Sequence, residues 1–208
     1  MGGTMISADK ILSDAQLSKF FKKIKQEKDK SILTLRNSNK RNPKEFRIVI
    51  DYFLFSLIAN TGLRISEALN LKWSDIHDDF LIVRPEVSKN GKRGTVYYGI
   101  KTQNLLIELK DFKSHLSNRK PTDYLFSINT RILSRSYIHI RFKYWTSQTG
   151  LPPSLSIHSL RHTYGTQCLD KGLPLTFVRD NLRHSNISIT SQYLHLTKQS
   201  RDKVKDIF

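Results

Sequence analysis

Three short segments of this chain carry side chains suited to handling a phosphate group. They are Thr61-Gly62-Leu63-Arg64-Ile65-Ser66-Glu67, His158-Ser159-Leu160-Arg161-His162, and Leu182-Arg183-His184, the last followed nine residues later by Tyr193. Arginines, imidazoles and a phenol are the inventory for phosphoryl transfer without a metal, because guanidinium groups hold the oxygens on which negative charge develops. His158 and Arg161 lie three apart on a predicted helix and share a face, so both can reach one phosphate.

A metal site is the alternative for the same histidines. His158 and His162 are four residues apart, which is also a zinc-binding spacing, but no Glu lies between them and Arg161 opposes a divalent cation. The single cysteine, Cys168, excludes an internal disulfide and a cysteine-rich zinc module. We therefore predict neither a metal nor a cofactor.

The charge of the chain indicates a polyanionic partner. Its 208 residues contain 35 Lys and Arg against 18 Asp and Glu, a net charge of +17, which suits DNA, RNA or an acidic membrane surface. The longest apolar run, residues 52–59, contains Ser56 and falls short of the roughly 20 residues of a membrane span. We predict a cytoplasmic protein without membrane association, and interpret residues 1–4, which precede Met5, as a leader.

Helical periodicity dominates the chain. Ser13 and Gln16 form a predicted capping box for a helix that ends near Lys28, and residues 30–44 are predicted to connect it to a buried helix at 46–60, which Gly62 stops. Further helices are predicted at 64–71, 102–116, 134–149, 158–169, 175–182 and 188–196. Residues 80–87 and 95–100 are rich in β-branched and aromatic side chains, which predicts a hairpin with Lys89, Lys92 and Arg93 at its basic tip.

The order of these motifs resembles the tyrosine recombinase (phage integrase) family. The family pattern is Arg in a T-G-x-R-x-x-E segment, Lys in a β-hairpin, His-x-x-Arg, a further His or Trp, and Tyr, and the resemblance runs from about Ile11 to the end. It implies a mainly α fold with a small antiparallel β-sheet, as in the family's catalytic domain, spanning residues 5–208. The implied activity is site-specific strand exchange on double-stranded DNA through a 3′-phosphotyrosyl intermediate.

The resemblance also implies a role for each matching residue. The assignments are Tyr193 as nucleophile, Arg64 and Arg161 on the non-bridging oxygens, His184 as a further donor, His158 for the tyrosine proton, and Lys89 for the leaving 5′-oxygen. Glu67 is expected to orient Arg64, and His162 to support the face of His158. Lys92 and Arg93 are candidates for DNA contacts and alternatives to Lys89. Where the family usually has Gly before the histidine, this chain has Arg183, which leaves the local backbone geometry open.

Several alternatives stay open at this point. Family members commonly carry an N-terminal DNA-binding domain for which residues 5–208 leave no room, so the chain is either shortened or a short recombinase similar to the fimbrial-switch invertases. Family logic implies a homotetramer on two duplexes during exchange and a possible monomer when free. Two other functions compete: a type IB topoisomerase-like relaxing enzyme, and a non-catalytic DNA-binding protein of the same fold.

Overall fold

The computed structural model describes residues 6–37, 42–89, 91–116, 123–128 and 131–197. Within these ranges the chain forms helices and two small antiparallel sheets, which confirms the predicted mainly α fold. The elements are α1 (Asp14–Asn37), α2 (Pro43–Thr61), α3 (Ile65–Leu69), β1 (Phe80–Val83), β2 (Gly94–Tyr97), α4 (Ile100–Leu116), β3 (Ser127–Ile128), β4 (Arg131–Ile132), α5 (Arg135–Gln148), α6 (Ile157–Asp170), α7 (Leu175–Leu182) and α8 (Ile187–Ser191).

Helix α2 forms the centre of the core, as its sequence predicts. It packs against α1, α4 and α6, and its apolar side chains on nearly all sides, such as Phe53, Leu54 and Leu57, are fully buried. The side chain of Asn42 caps its start, and Gly62 ends it in the left-handed conformation at φ 66°. This stop brings the following Arg64 to the start of α3, next to the candidate site.

Helix α1 begins as predicted but is longer. The capping box is present, with the Gln16 amide donating to Ser13 Oγ and the Ser13 amide to Gln16 Oε1. The predicted end near Lys28 was wrong, because the helix continues to Asn37. Most of the predicted connection at 30–44 is therefore helical, since α2 already begins at Pro43, and residues 38–41 lie outside the described ranges. Helix α1 continues because Lys28 and Ser31 are themselves buried at helical spacing, with Lys28 paired to Glu108.

The predicted hairpin is confirmed in a shorter form. Strands β1 and β2 pair antiparallel, with Phe80 opposite Tyr97 and Val83 opposite Gly94. The first strand ends early because Pro85, which has no amide hydrogen, opens a 3₁₀ turn at Pro85–Val87. The sheet of β3 and β4 was not predicted, since strands of two residues are too short to show an alternating pattern.

The C-terminal helical prediction was partly wrong. In place of one helix at 188–196, the chain forms the short α8 and then a 3₁₀ turn at Leu194–Leu196, with Tyr193 between them. Ile187, Ile189 and Leu194 are exposed, so this segment lacks the buried apolar stripe that would hold a longer helix together. None of the helices within the described ranges has the length and apolar character needed to cross a membrane.

Candidate active site

The site begins where α2 turns into α3. Glu67, fully buried, accepts a hydrogen bond from the Arg64 amide on Oε2 at 2.7 Å and from Arg64 Nη1 on Oε1 at 2.9 Å. The backbone and the guanidinium of Arg64 are therefore fixed by one carboxylate. Nearby arginines, first among them Arg183, outweigh the effect of burial and lower the pKa of Glu67, so it stays charged near neutral pH.

Arg64 opens onto a cleft of about 630 Å³. The cleft brings together three of the sequence-predicted catalytic residues, Arg64, Lys89 and His158, and its other lining residues are Ile65, Ser66, Val87, Arg135, Ser136 and His139. None of these described lining residues is acidic, so the cleft is strongly cationic. Of the three basic hairpin residues, Lys89 lines the cleft, whereas Lys92 and Arg93 are exposed outside its lining.

Sequence reasoning missed the contribution of α5 to this cleft. Arg135 and His139 lie one helical turn apart and face it together, and the His139 ring lies 6.2 Å from the His158 ring. Their spacing of four residues on a predicted helix was a usable signal for a shared face. The packing of that face beside α6 is a long-range contact that local sequence patterns do not report.

Arg161 lies beneath the cleft rather than in its wall. It is 5% exposed, and its Nη1 and Nη2 donate to the carbonyl oxygens of Gly62 at 2.5 Å and Leu182 at 2.6 Å. Burial and the neighbouring cations Arg64 and Arg183 lower the pKa of Arg161 to about 9, which leaves it charged near neutral pH. Arg161 thus joins the end of α2 to the end of α7.

The residues at the end of α7 and directly after it each connect to a different part of the site. Asn181 accepts from the Tyr97 amide of β2 at 2.7 Å, and Leu182 accepts from Arg161. The carbonyl of Arg183 accepts from Arg64 Nη2 at 3.3 Å. His184 Nδ1 lies 2.9 Å from the hydroxyl of Thr190 on α8. This short stretch of chain therefore ties the hairpin, α3, α6 and α8 together through both side-chain and backbone atoms.

Arg183 resolves the backbone question that the sequence left open. It is the one non-glycine residue with a positive φ, 55°, in the described part of the chain, and it ends α7 in the left-handed conformation. A glycine adopts this conformation without a steric cost, whereas Arg183 adopts it with a side chain that is 10% exposed and paired to Glu67.

Tyr193 does not line the cleft. It is 1% exposed, and its hydroxyl lies 3.0 Å from Nδ1 of His162, one helical turn from His158. The His184 and Tyr193 rings are stacked with their centroids 6.2 Å apart, and the absence of a side chain at Gly165 leaves room for the phenol. Burial raises the pKa of Tyr193, and the cations Arg161 and Arg64 partly offset it.

The imidazoles around Tyr193 are neutral near pH 7. Burial, followed by the influence of His158 and Arg161, lowers the pKa of His162 to about 4. Burial and the nearby arginines lower the pKa of His184 to about 3. In the described part of the chain, His, Cys, Asp and Glu side chains form no group of three that could hold a metal ion.

The comparisons with known proteins identify the class. The phage integrase family matches residues 31–200, and the chain belongs to this family. A tyrosine recombinase of Pseudothermotoga lettingae is 34% identical over 151 residues, which are 73% of this chain and 51% of that protein. The tyrosine recombinase XerC of Mannheimia succiniciproducens is 28% identical over 83% of this chain and 57% of that protein. The chain thus spans about half the length of these curated relatives.

Solved structures confirm the predicted fold. The XerH site-specific recombinase bound to a palindromic difH substrate superposes with a TM-score of 0.72 at 22% identity, over 97% of this chain and 54% of that chain. The catalytic domain of bacteriophage HP1 integrase gives a TM-score of 0.57 at 20% identity, over 94% of this chain and 93% of that chain. The fold is therefore that of a tyrosine recombinase catalytic domain.

Proposed function

We propose that this chain carries the catalytic machinery of a site-specific recombinase acting on double-stranded DNA. The observation that carries the proposal is the cationic cleft of Arg64, Lys89 and His158. Tyr193 is hydrogen-bonded to His162, which lies one helical turn from His158. A cleft lined by cations without a carboxylate suits a DNA phosphate. The relative named a tyrosine recombinase and the solved structure named a site-specific recombinase support the same activity over a topoisomerase-like one.

In the proposed reaction Tyr193 attacks the phosphate and the DNA strand is exchanged rather than hydrolysed. The bond from Tyr193 Oη to phosphorus forms as the bond from phosphorus to the 5′-oxygen breaks, which leaves a 3′-phosphotyrosyl link. His158 takes the phenolic proton, and Lys89 gives a proton to the leaving 5′-oxygen. The covalent intermediate keeps the energy of the broken phosphodiester, so a 5′-hydroxyl of another strand can reverse the step and reseal the DNA.

The arginines stabilise the charge that develops on the phosphate. Arg64 reaches the cleft with a side chain that is 20% exposed, whereas Arg161 acts from below and also holds the backbone around the phosphate site. His184, neutral at physiological pH, adds a hydrogen-bond donor. Each donor directed at such a charge contributes on the order of 10²–10³ in rate.

The proposal requires Tyr193 to leave its buried position. His158 and His162 lie four residues apart on one face of α6, so the Tyr193 hydroxyl moves by about one helical turn, roughly 5 Å, from His162 towards the cleft. The segment that carries Tyr193 is suited to such a shift, because α8 is five residues long and its Ile187 and Ile189 are exposed.

Exchange between two duplexes needs four strand cleavages, and we propose that four protomers supply them.

Covalent capture tests the proposal. Wild type and Tyr193→Phe are incubated, without added metal, with nicked duplexes of pooled and candidate sequences. The nick is placed so that the short fragment carrying the freed 5′-hydroxyl dissociates after cleavage. A 3′-linked adduct that resists SDS is expected for wild type only. Adduct formation by Tyr193→Phe would refute the assigned nucleophile. Site-independent relaxation of supercoiled DNA would favour the topoisomerase-like function, and DNA binding with no adduct would favour a non-catalytic one.

A further inference from the structure

Arg183 holds an unfavourable backbone conformation and is deeply built into the site. Its φ of 55° lies in the region that favours glycine, yet its side chain extends inward and is 10% exposed. Its Nη2 pairs with Glu67 Oε2, its Nη1 donates to the carbonyl of Asn181 at 2.8 Å, and its Nε is buried without a hydrogen-bond partner. A turn that needed only its backbone geometry would be served by glycine, so the side chain needs a separate explanation.

Glu67 is shared between two arginines. Its Oε1 accepts from Arg64 Nη1, and its Oε2 accepts from the Arg64 amide and from Arg183. A carboxylate facing a single arginine favours the bidentate pairing that engages two guanidinium nitrogens. Because Arg183 occupies Oε2, the guanidinium of Arg64 meets Glu67 through Nη1 alone. Arg183 also receives Arg64 Nη2 on its own carbonyl, so it contacts both sides of the arrangement that orients Arg64.

The charge balance supports the same interpretation. Arg64, Arg161 and Arg183 all lie close enough to Glu67 to interact with its charge, so one negative carboxylate faces three positive guanidinium groups. With Arg183 neutralising Glu67, the positive charge of Arg64 is directed at the cleft. Without Arg183, Glu67 would cancel Arg64, and its field at a bound phosphate would weaken.

Arg183 also contacts the hairpin that carries Lys89. Gly94 of β2 lies against the Arg183 side chain so closely that a Cβ at position 94 would collide with it. Gly94 does not have a positive φ, so its backbone conformation does not call for glycine. The close approach of Arg183 is what excludes a side chain there.

We propose that Arg183 is a positioning residue: it divides the Glu67 carboxylate with Arg64, turns the Arg64 guanidinium towards the cleft, and sets the approach of the Lys89 hairpin through Gly94. This inference rests on the proposed recombinase function and adds to it a third arginine that does not touch the DNA. Arg183 acts through Arg64 and is separate from the residues that contact the phosphate.

Arg183→Gly and Arg183→Lys separate positioning from folding. Thermal unfolding shows whether each variant folds, since glycine relieves the left-handed strain but also removes a partner of the buried Glu67 carboxylate. Single-turnover adduct formation by Arg183→Gly should slow by roughly 10- to 100-fold with little change in the Kd for nicked DNA. Arg183→Lys keeps a cation for Glu67 and should recover part of the rate. A Gly variant with the wild-type rate, or a Lys variant as slow as the Gly variant, overturns the proposal.

Gly94→Ala provides the matched second variant. In wild type its methyl group should displace Arg183 and slow adduct formation. The two contacts that are shorter than an ordinary van der Waals distance are both with the Arg183 side chain, so in the Arg183→Gly background the same methyl group should have no further effect. Rate changes that multiply independently in the double variant would contradict the contact.

A measurement without DNA keeps the proposal separable from the proposed function. Nitrogen-15 spectra of the Arg64 guanidinium should show restrained, distinct Nη signals in wild type and Arg183→Lys, and averaged signals in Arg183→Gly. Unchanged Arg64 signals in Arg183→Gly overturn the positioning role even if the protein cleaves DNA. If wild type forms no adduct on any substrate, the proposed function fails, and these spectra alone decide whether Arg183 positions Arg64.

Discussion

Tyr193 and His162 are joined by a buried hydrogen bond of 3.0 Å between the phenolic hydroxyl and Nδ1. Tyr193 is 1% exposed, so water does not replace this partner while the ring stays in place. Burial lowers the pKa of His162 to about 4, and a neutral ring can accept a hydrogen bond from the phenolic hydroxyl. In this structure the proposed nucleophile is therefore held by one histidine, His162, and separated from the cleft histidine, His158.

Removing His162 should expose the cost of an unsatisfied hydroxyl. We expect His162→Leu to lower the free energy of unfolding by about 1–3 kcal/mol, and Tyr193→Phe to relieve part of that loss when the two are combined. The double variant should show a coupling of about 1 kcal/mol in urea unfolding at neutral pH. Tyr144→Phe, at a tyrosine that is 44% exposed, is the control and should not couple to His162→Leu. Strict additivity of the first pair would show that the bond contributes nothing to stability.

The buried histidines should make the fold sensitive to acid. The pKa values of His162 and His184, about 4 and about 3, lie below the ordinary 6.5, so the unfolded chain takes up protons on these rings before the folded chain does. Their contribution to stability is present in full above about pH 6.5 and is lost as the pH falls towards the folded values. We expect the titration of each ring to lower the free energy of unfolding by about 1–2 kcal/mol between about pH 7 and about pH 5. Urea titrations should show this loss, and His162→Leu should reduce its slope; a flat profile would contradict it.

The order of elements was predictable because local patterns carry it. The capping box at Ser13 and the glycine stop at Gly62 both appear in the structure as the sequence predicts. The extension of α1 beyond Lys28 was missed because a lysine and a serine there are buried through partners distant in the sequence, Glu108 and Glu45. When such partners are unknown, a sequence pattern places polar residues on the solvent-facing side of a helix.

The sequence supplied the candidate residues of the site but not their arrangement. The spacing of the motifs singled out Arg161 and Tyr193, but their burial below the cleft depends on carbonyl groups and on His162 across the fold. The sharing of Glu67 by Arg64 and Arg183 joins residues more than a hundred positions apart. Contacts of this length follow from packing and leave no periodic signal in the sequence.

Gly62→Ala should destabilise the protein for two separable reasons. Gly62 has φ 66°, and a Cβ there would lie 2.5 Å from side-chain atoms of Leu182 and Tyr164. Gly172 has φ 83° with nothing within 4 Å, so Gly172→Ala reports the backbone strain alone, about 1–2 kcal/mol. Overpacking should add about 1–3 kcal/mol for Gly62→Ala in urea unfolding. Equal losses for the two variants would show that the packing around Gly62 yields without cost.

Lys89 should differ from its hairpin neighbours in the step that it affects. Lys89→Met should slow adduct formation by on the order of 10²-fold, because the leaving 5′-oxygen then lacks its proton donor. A substrate with sulfur in place of that oxygen leaves readily as a thiolate, so it should restore the rate of Lys89→Met. Lys92→Met and Arg93→Met, at exposed positions outside the cleft lining, should weaken DNA binding without a substrate-dependent rate defect. Rescue of Lys92→Met by sulfur would move the assignment to Lys92.

Arg135 should contribute to binding through charge. It lines the cleft together with Arg64 and Lys89, so a bound DNA phosphate in the cleft would lie within its field. We expect Arg135→Ala to weaken binding across unrelated duplex sequences and to reduce the slope of log K against log salt by about 0.9, the value for one lost phosphate contact. Lys25→Ala, at an exposed lysine of α1 paired with Asp29, is the control for removing a charge elsewhere. An unchanged slope for Arg135→Ala would place the DNA backbone away from α5, and an equal reduction for Lys25→Ala would show that total charge, rather than the cleft, determines binding.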